Sequence, residues 1–417
     1  MKRVALLLVA LGLGVAPAHA LPRQRVRFER IALPTNPPGE ARIGAATYDG
    51  RRWWLAGSVF TSDAVQRTGL SGAIGNVEGV HRPGLWWSDD STHWTEVRTI
   101  ARTGYGEVSE LYSVAATSAG LVALGAATGG AHGNPRTVSW VLGSDAVLHE
   151  VPASFELYNG VRQIGVRTVS AMNDGWVIFG TRVNRNGSMG ATAWTTSPVG
   201  EDFVIHDDDA ALSSGVGEQV QGLDVTGVDH HLLAVGERFV FGAGHADTDG
   251  VAWMSSDGVA WQRWSPAGLG LGGSGAQRAQ RVASEGNSLL IAGTQIDSTT
   301  HFLAWTRATA DSPWRRSSVK PLGTSDDVLS NVTAALVSGG IRYVASRTGQ
   351  HLRLARSDDG RVWTGVALPN SVPSGDRAKL SLAAGGGVLI LGARSESGGG
   401  AWRTRIICLH FTTRCRT

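Results

Sequence analysis

The 417 residues include 56 Gly and 15 Trp but very little Lys, which excludes a helical bundle, because Gly weakens helix interiors and serves tight turns. The formal net charge of +3 falls to about +1 once a leader carrying Lys2 and Arg3 is set aside, leaving 36 Lys+Arg against 35 Asp+Glu. A dedicated nucleic-acid binder would carry a basic stripe, so no nucleic-acid partner is expected.

The opening MKRVALLLVALGLGVAPAHA has a basic start, an apolar stretch and the small-residue site Ala18-His19-Ala20, the pattern of a cleaved secretory leader. Residues 1–20 are therefore read as a signal peptide cleaved after Ala20, and residues 21–417 as a single domain, secreted or periplasmic. No Cys follows the cleavage site and no later run of about 20 apolar residues could span a bilayer, so neither a lipid nor a transmembrane anchor is expected. The protein is read as a monomer.

Next comes RFERIALPTNPPGEARIG, an orphan β-prone segment similar to WTGVALPNSVPSGDRAKLS far downstream. A repeat then begins. An apolar strand ending at Gly occurs as WWLAG to Gly57, LVALG to Gly125, WVIFG to Gly180, LLAVG to Gly236, LLIAG to Gly293 and LILG to Gly392, with RYVAS to Ser346 making seven copies 46 to 68 residues apart. A second strand follows each, and most copies carry a Trp there: Trp86, Trp140, Trp194, Trp253, Trp305 and Trp402. Flanking β-prone segments make each unit a four-stranded meander, and units of this length are propeller blades. The fold is thus predicted to be all-β, a seven-bladed β-propeller.

The last unit stops after its third strand, AWRTRIICL, so residues 26–33 are predicted to supply its missing outer strand and close the ring. The only cysteines, Cys408 and Cys415, lie in the tail near that seam. In an oxidising compartment they are read as a disulfide, with two free thiols as the alternative.

Three turns repeat: SDDSTHW at 88–94, SSDGVAW at 255–261 and SDDGRVW at 357–363. Ser and Asp oxygens can accept hydrogen bonds from turn N–H groups, Gly permits positive φ, and Trp packs against a blade. These turns resemble the Asp-box, the S-x-D-x-G-x-T-W hairpin of bacterial neuraminidase repeats found in sialidases and in non-enzymatic secreted propellers. They are one residue shorter than that pattern. The resemblance implies a turn between strands three and four, on the face away from the usual binding surface. Ser88, Asp90, Trp94, Ser255, Asp257, Trp261, Ser357, Asp359 and Trp363 are accordingly read as structural.

A site is expected on the opposite face. The longest insertion within a blade, 61–83, is a candidate lid or partner-binding loop, with an unspecialised excursion as the alternative. Counting back 15 residues from each strand-two Gly, or from Ser346, reaches Arg42, Glu110, Gly165, Gln221, Arg278, Asn331 and Arg377, at the start of the innermost strand where the channel opens. Six of these are polar, and the candidate ligand residues are Arg42, Glu110, Gln221, Arg278, Asn331 and Arg377. Arginines there could hold a carboxylate, or could be paired with neighbouring carboxylates at a solvated rim. The sialidase resemblance implies an arginine triad, which Arg42, Arg278 and Arg377 could imitate. It also implies a Tyr nucleophile with a Glu partner, for which Tyr105, Tyr158, Glu107 and Glu110 are available. The family's Arg-Ile-Pro signature is absent, because RIALP places Ala and Leu before Pro34.

Acidic stretches at 207–209 and 245–250 lack calcium-loop spacing and read as solvated loops. Asp229, His230 and His231 lead into a strand whose alternation would point the two histidines to opposite faces. No metal, no cofactor and no catalytic residue is assigned. Three functional classes follow: a binding or interaction module for a carbohydrate or acidic small molecule at the channel mouth, a sialidase-like glycoside hydrolase, and a cell-envelope protein whose partner is another protein. The reading leans away from an enzyme.

Overall fold

The structure is a computed structural model that describes residues 26–62, 80–128, 135–242, 245–264 and 266–406. The leader, most of the 61–83 insertion and both cysteines lie outside these residues.

Seven antiparallel sheets succeed one another along the chain. From the inside outward, blade 1 is Glu40–Tyr48, Trp53–Thr61, Val80–Ser88 and Thr95–Glu96. Blade 2 is Glu110–Thr117, Gly120–Ala127, Arg136–Leu142 and Leu148–Glu150. Blade 3 is Gln163–Met172, Gly175–Val183, Met189–Thr196 and Val204–His206. Blade 4 is Glu218–Val228, His231–Gly242, His245–Ser255 and Gln262–Trp264. Blade 5 is Ala276–Glu285, Ser288–Ile296, Thr300–Arg307 and Arg315–Ser318. Blade 6 is Asn331–Ser338, Ile341–Thr348, His351–Ser357 and Thr364–Val366.

Blade 7 is Lys379–Gly385, Val388–Ser395 and Gly398–Arg405, and its outer strand is Glu29–Ile31 from the other end of the chain. Glu29 faces Arg403, Arg30 faces Trp402 and Ile31 faces Ala401. The ring closes where the sequence predicts, with a shorter strand than 26–33. One pairing was not foreseen: Thr99–Ile100, on the way out of blade 1, adds a parallel strand to the edge of blade 2.

Second strands are buried on both faces, because each sheet is sandwiched between two others. Ile341–Thr348 is buried at every residue, and Trp53–Thr61 at its first seven. The six strand-three tryptophans are essentially fully buried. Five of their indole N–H groups donate to the connections around them: Trp86 to the Pro34 carbonyl, Trp194 to Leu157, Trp253 to Ala211, Trp305 to Gly270 and Trp402 to the Ser371 hydroxyl. Each such Trp therefore fills a blade interface and pins the connection into its own blade. Blade 6 has Ala355 in that register.

The repeated Gly has a backbone cause. In blades 1 to 6 the innermost strand carries one extra residue just past the position facing the Gly or Ser346. Such a bulge kinks its strand, here against the second strand. A Cβ on Gly236 would sit 1.8 Å from the Gln221 carbonyl oxygen, and one on Gly57 1.9 Å from that of Arg42. Gly avoids that clash, whereas blade 6 accommodates Ser346 in the same register. Blade 7 has no bulge, and a Cβ on Gly392 would meet the side chains of Ile43 and Ser381 instead.

Candidate functional site at the channel mouth

The six bulge residues, Gly44, Tyr112, Arg167, Leu223, Gln280 and Thr333, all line one central cavity of about 560 Å³. Side chains at or next to the bulges also accept backbone N–H groups from the following blade. Ser113 accepts from Val169 N–H at 3.0 Å, Asp224 from Val282 at 2.9 Å, Gln280 from Val332 at 2.9 Å and Thr333 from Leu380 at 3.4 Å. Tyr112 donates its hydroxyl to the Val166 carbonyl at 2.9 Å, and burial pushes that phenol's pKa up. The innermost strands of blades 2 and 3, and of blades 4 to 7, are thereby tied to one another along the channel.

A second pocket of about 370 Å³ adjoins the first at the rim, and the two share Asn331, Lys379 and Arg394. Of the sequence candidates, Arg42, Glu110, Asn331 and Arg377 line the rim pocket, while Gln221, Arg278 and Asn331 line the cavity. Three arginines already have carboxylate partners: Arg42 with Glu40 at 3.1 Å, Arg278 with Glu237 at 2.5 Å and Arg377 with Glu396 at 3.3 Å. Arg42 is buried and also lies over the Phe60 ring, 4.0 Å from its centre. Glu110 accepts from Arg394 at 3.2 Å and lies 3.7 Å from His81, whose pKa burial lowers against the pull of Glu110.

Arg377 does not start a strand; it precedes Lys379–Gly385 and is 81 % exposed. Register explains the two-residue error. Lys379 faces Arg394 as Arg42 faces Ser58, and Leu380 faces Ala393 as Ile43 faces Gly57. Ala393, not Gly392, thus corresponds to the repeated Gly, and the absent bulge shortens the hairpin by one more residue. The seventh member of the inner ring is Lys379.

Sequence reasoning also missed Arg167, Arg281 and Arg394, which line the cavity with Lys379. Arg281 donates to the carbonyls of Thr333 at 3.0 Å and Gln280 at 2.6 Å, so the backbone orients it without neutralising it. Among the described residues, neither Arg167 nor Lys379 has a hydrogen-bond or ion-pair partner. Lys379 is open to the channel yet ringed by protein, and that enclosure, followed by Arg394, Arg281 and Arg167, brings its ammonium down to about 7. Two carboxylates line the same cavity: Glu237, paired with Arg278, and Asp224, which is buried, has its pKa raised by that burial against the pull of Arg281, and accepts from the Val282 N–H. One sequence signal could have found Lys379: the chain has only three lysines, Lys2, Lys320 and Lys379.

The three repeated turns occupy the other face. In each, Ser donates to Asp: Ser88 to Asp90 at 3.1 Å, Ser255 to Asp257 at 3.0 Å and Ser357 to Asp359 at 3.0 Å. The same Asp oxygen accepts two turn N–H groups, from Thr92 and His93, Val259 and Ala260, or Arg361 and Val362, at 2.7 to 2.9 Å. Gly258 and Gly360 sit at φ of 75° and 73°, and Ser91 adopts the same left-handed region at 62°. Trp94, Trp261 and Trp363 are buried, and their N–H groups donate to Ser91, Gly258 and Ser317. In each turn the Ser hydroxyl, one Asp oxygen and the Trp N–H are thus engaged in hydrogen bonds.

The remaining candidates are also committed elsewhere. Tyr158 is buried, donates to Ser139 at 3.2 Å and is pushed up by that burial; Tyr105 stacks near Arg136. Asp207 pairs with Arg162, Asp208 with Arg185, and Asp209 accepts from Ala211 and Trp261. No cluster of three metal-ligating side chains occurs among the described residues. A cleft of about 800 Å³ lies between the outer turns of blades 2 and 3, but its His149 is held by Asp145 and its Glu150 by the N–H groups of Arg102 and Thr103. No helix among the described residues is long and apolar enough to cross a membrane.

No family model and no curated protein matches the chain. Among solved structures it is similar to the β-propeller domain of the Trilobed protease from Pyrococcus furiosus, at 9 % identity over 89 % of this chain and 100 % of that one, TM-score 0.46. It is also similar to Pyrococcus horikoshii acylaminoacyl peptidase, at 9 % identity over 88 % of this chain and 52 % of that one, TM-score 0.47. Trypanosoma rangeli sialidase is a third, at 14 % identity over 91 % and 58 %, TM-score 0.42. The chain spans little more than half the length of the last two. The fold rests on this chain's own strand order, and likeness at this level assigns no activity.

Proposed function

We propose that this propeller is a binding module whose ligand is a small acidic molecule, a sugar acid foremost, taken at the channel mouth. The observation that carries the reading is the cation excess of the central cavity: Arg167, Arg281 and Lys379 face it with no ion-paired carboxylate among the described residues. Uncompensated cations in an enclosed site are costly until an anion arrives, and guanidinium groups suit carboxylates geometrically. The arginines at the sequence-chosen positions are a poorer choice of ligand group, since Arg42, Arg278 and Arg377 already hold carboxylates.

The test is a screen of uronic acids, sialic acid and dicarboxylates against the protein and its Arg167→Gln, Lys379→Met variant. Binding by the parent that the variant loses, at unchanged thermal stability, supports the reading; equal binding by both overturns it. A protein partner is the second reading. It is favoured by exposed Phe155, Val161, Val216 and Leu329, on connections that open on the mouth side, and by exposed Phe241 near the end of the second strand of blade 4. Binding of a protein but of no acid in the screen would select it.

A further inference from the structure

Lys379 opens the innermost strand of blade 7 directly opposite Arg394. Like charges so paired repel, and a solvated rim would normally separate them. Arg394 is relieved by Glu110 at 3.2 Å, while among the described residues Lys379 has no partner and shares its cavity with Arg167 and Arg281. Three guanidinium groups thus share one cavity with this amine. A lysine among cations sheds its proton readily, and the neutral amine is a nucleophile toward carbonyl carbon.

We propose that Lys379 condenses reversibly with the carbonyl of a small oxo-acid whose carboxylate is held by the channel arginines. The proposal rests on the acidic-ligand reading above and adds a covalent step to it. In that step the neutral Nζ lone pair attacks the carbonyl carbon, the C=O π pair moves to oxygen, and channel water carries the proton from nitrogen to that oxygen. The hydroxyl then takes a second proton and leaves as water while the nitrogen lone pair forms C=N. Counted from the ammonium, one carbonyl and one Lys–NH₃⁺ give one protonated imine and one water, with no oxidant or reductant consumed.

The electrostatics agree with the geometry. Enclosure is the largest influence on Lys379, then Arg394, Arg281 and Arg167, all lowering its pKa, and Glu110 alone opposes them. At the rim Arg377 and Glu396 neutralise each other, and Arg42 is taken by Glu40. With its pKa brought down to about 7, Lys379 exchanges between ammonium and free amine near neutral pH, whereas an ordinary lysine at ~10.4 stays charged.

The near absence of lysine makes the experiment clean, because Lys320, exposed beside the outer strand of blade 5, is the only other lysine beyond the leader. The purified protein is treated with glyoxylate and cyanoborohydride, and the reduced adducts are mapped by peptide mass spectrometry. The expected result at pH 7 is modification of Lys379 at least about tenfold faster than Lys320, a ratio that falls as pH drops to 5. Malonate should protect Lys379 without affecting Lys320. In Arg167→Gln/Arg281→Gln protein the glyoxylate preference should fall, while labelling by acetaldehyde, which has no carboxylate, should persist.

Labelling of Lys379 no faster than Lys320 by either aldehyde overturns the proposal. If malonate binds by calorimetry under those conditions, the acidic-ligand reading survives that failure. Fast labelling by both aldehydes that malonate does not slow overturns the oxo-acid assignment and the acidic-ligand reading together. The protection arm uses the unaltered protein, so misfolding of the arginine variant leaves the test intact.

Discussion

The Asp turns and the channel mouth both concentrate polar and charged side chains, yet they are built on opposite logics. In a turn, Asp257 satisfies N–H groups two and three residues away and Ser255 completes it. The partners of the Asp oxygen are local, and the motif repeats. At the channel, Arg167, Arg281, Lys379 and Arg394 come from three blades; Arg167 and Lys379 have no hydrogen-bond or ion-pair partner among the described residues, Arg281 meets only backbone carbonyls, and Arg394 meets Glu110 of another blade. Charge used up locally is scaffold; charge assembled from afar and left unbalanced is where a ligand has something to do.

Variants can break this contrast, beginning with the largest effect. Trp261 is buried against Phe179, with ring centres 5.3 Å apart. Trp261→Ala should cost about 3–5 kcal/mol of stability by denaturant unfolding, and whatever folds should still bind acids. Gly236→Ala forces a Cβ into the Gln221 carbonyl, and its cost should reach the upper end of the ~1–3 kcal/mol of overpacking, or exceed it. Asp257→Ala removes two charge-assisted turn bonds at an exposed site and should cost about 1 kcal/mol, again with binding unchanged. Lys379→Met should abolish acid binding while leaving stability equal or slightly raised, since it removes the repulsion with Arg394. A stability loss for Lys379→Met as large as that for Trp261→Ala would make the channel mouth scaffold too, and the contrast would fail.

Titration sharpens the same comparison, because the two regions respond with opposite sign. Asp257 and Asp359 have lowered pKa values: their partial burial, which pushes up, is outweighed by the turn N–H groups. Their stabilisation is present above the unfolded value near ~4 and is lost as pH falls through the folded value. The Tm gap between the parent and an Asp257→Asn/Asp359→Asn variant should therefore close in acid. Lys379 is lowered to about 7, so the folded chain binds fewer protons than the unfolded chain between about 7 and the ordinary lysine value. Stability should rise through that window, and the Tm advantage of Lys379→Met at pH 6 should shrink by pH 9.

What could be read from the sequence follows the same division. The Gly-ended strand, the Trp register and the three turns repeat, so seven blades and the closing strand were legible, although the bulge facing the Gly was not. Arg42 and Asn331 were found at the channel by counting because their hairpins keep a constant length. Arg377 was chosen over Lys379 because blade 7 lacks the bulge and shifts its Gly by one residue. Arg167 is itself a bulge residue, and an extra residue is invisible to a period of two. Charge balance across blades was out of reach, since it depends on which side chains meet around the axis.

The most direct test is a ligand-dependent thermal shift at fixed ionic strength, with the parent and Arg167→Gln/Lys379→Met protein side by side. A ligand that binds only the folded state stabilises it by RT ln(1 + L/Kd) at free ligand concentration L, and so raises Tm as that concentration increases. The account predicts that galacturonate or malonate raises the parent's Tm above a chloride control and leaves the variant unmoved. An equal rise in both proteins, or none in either across the acidic ligands, would contradict it.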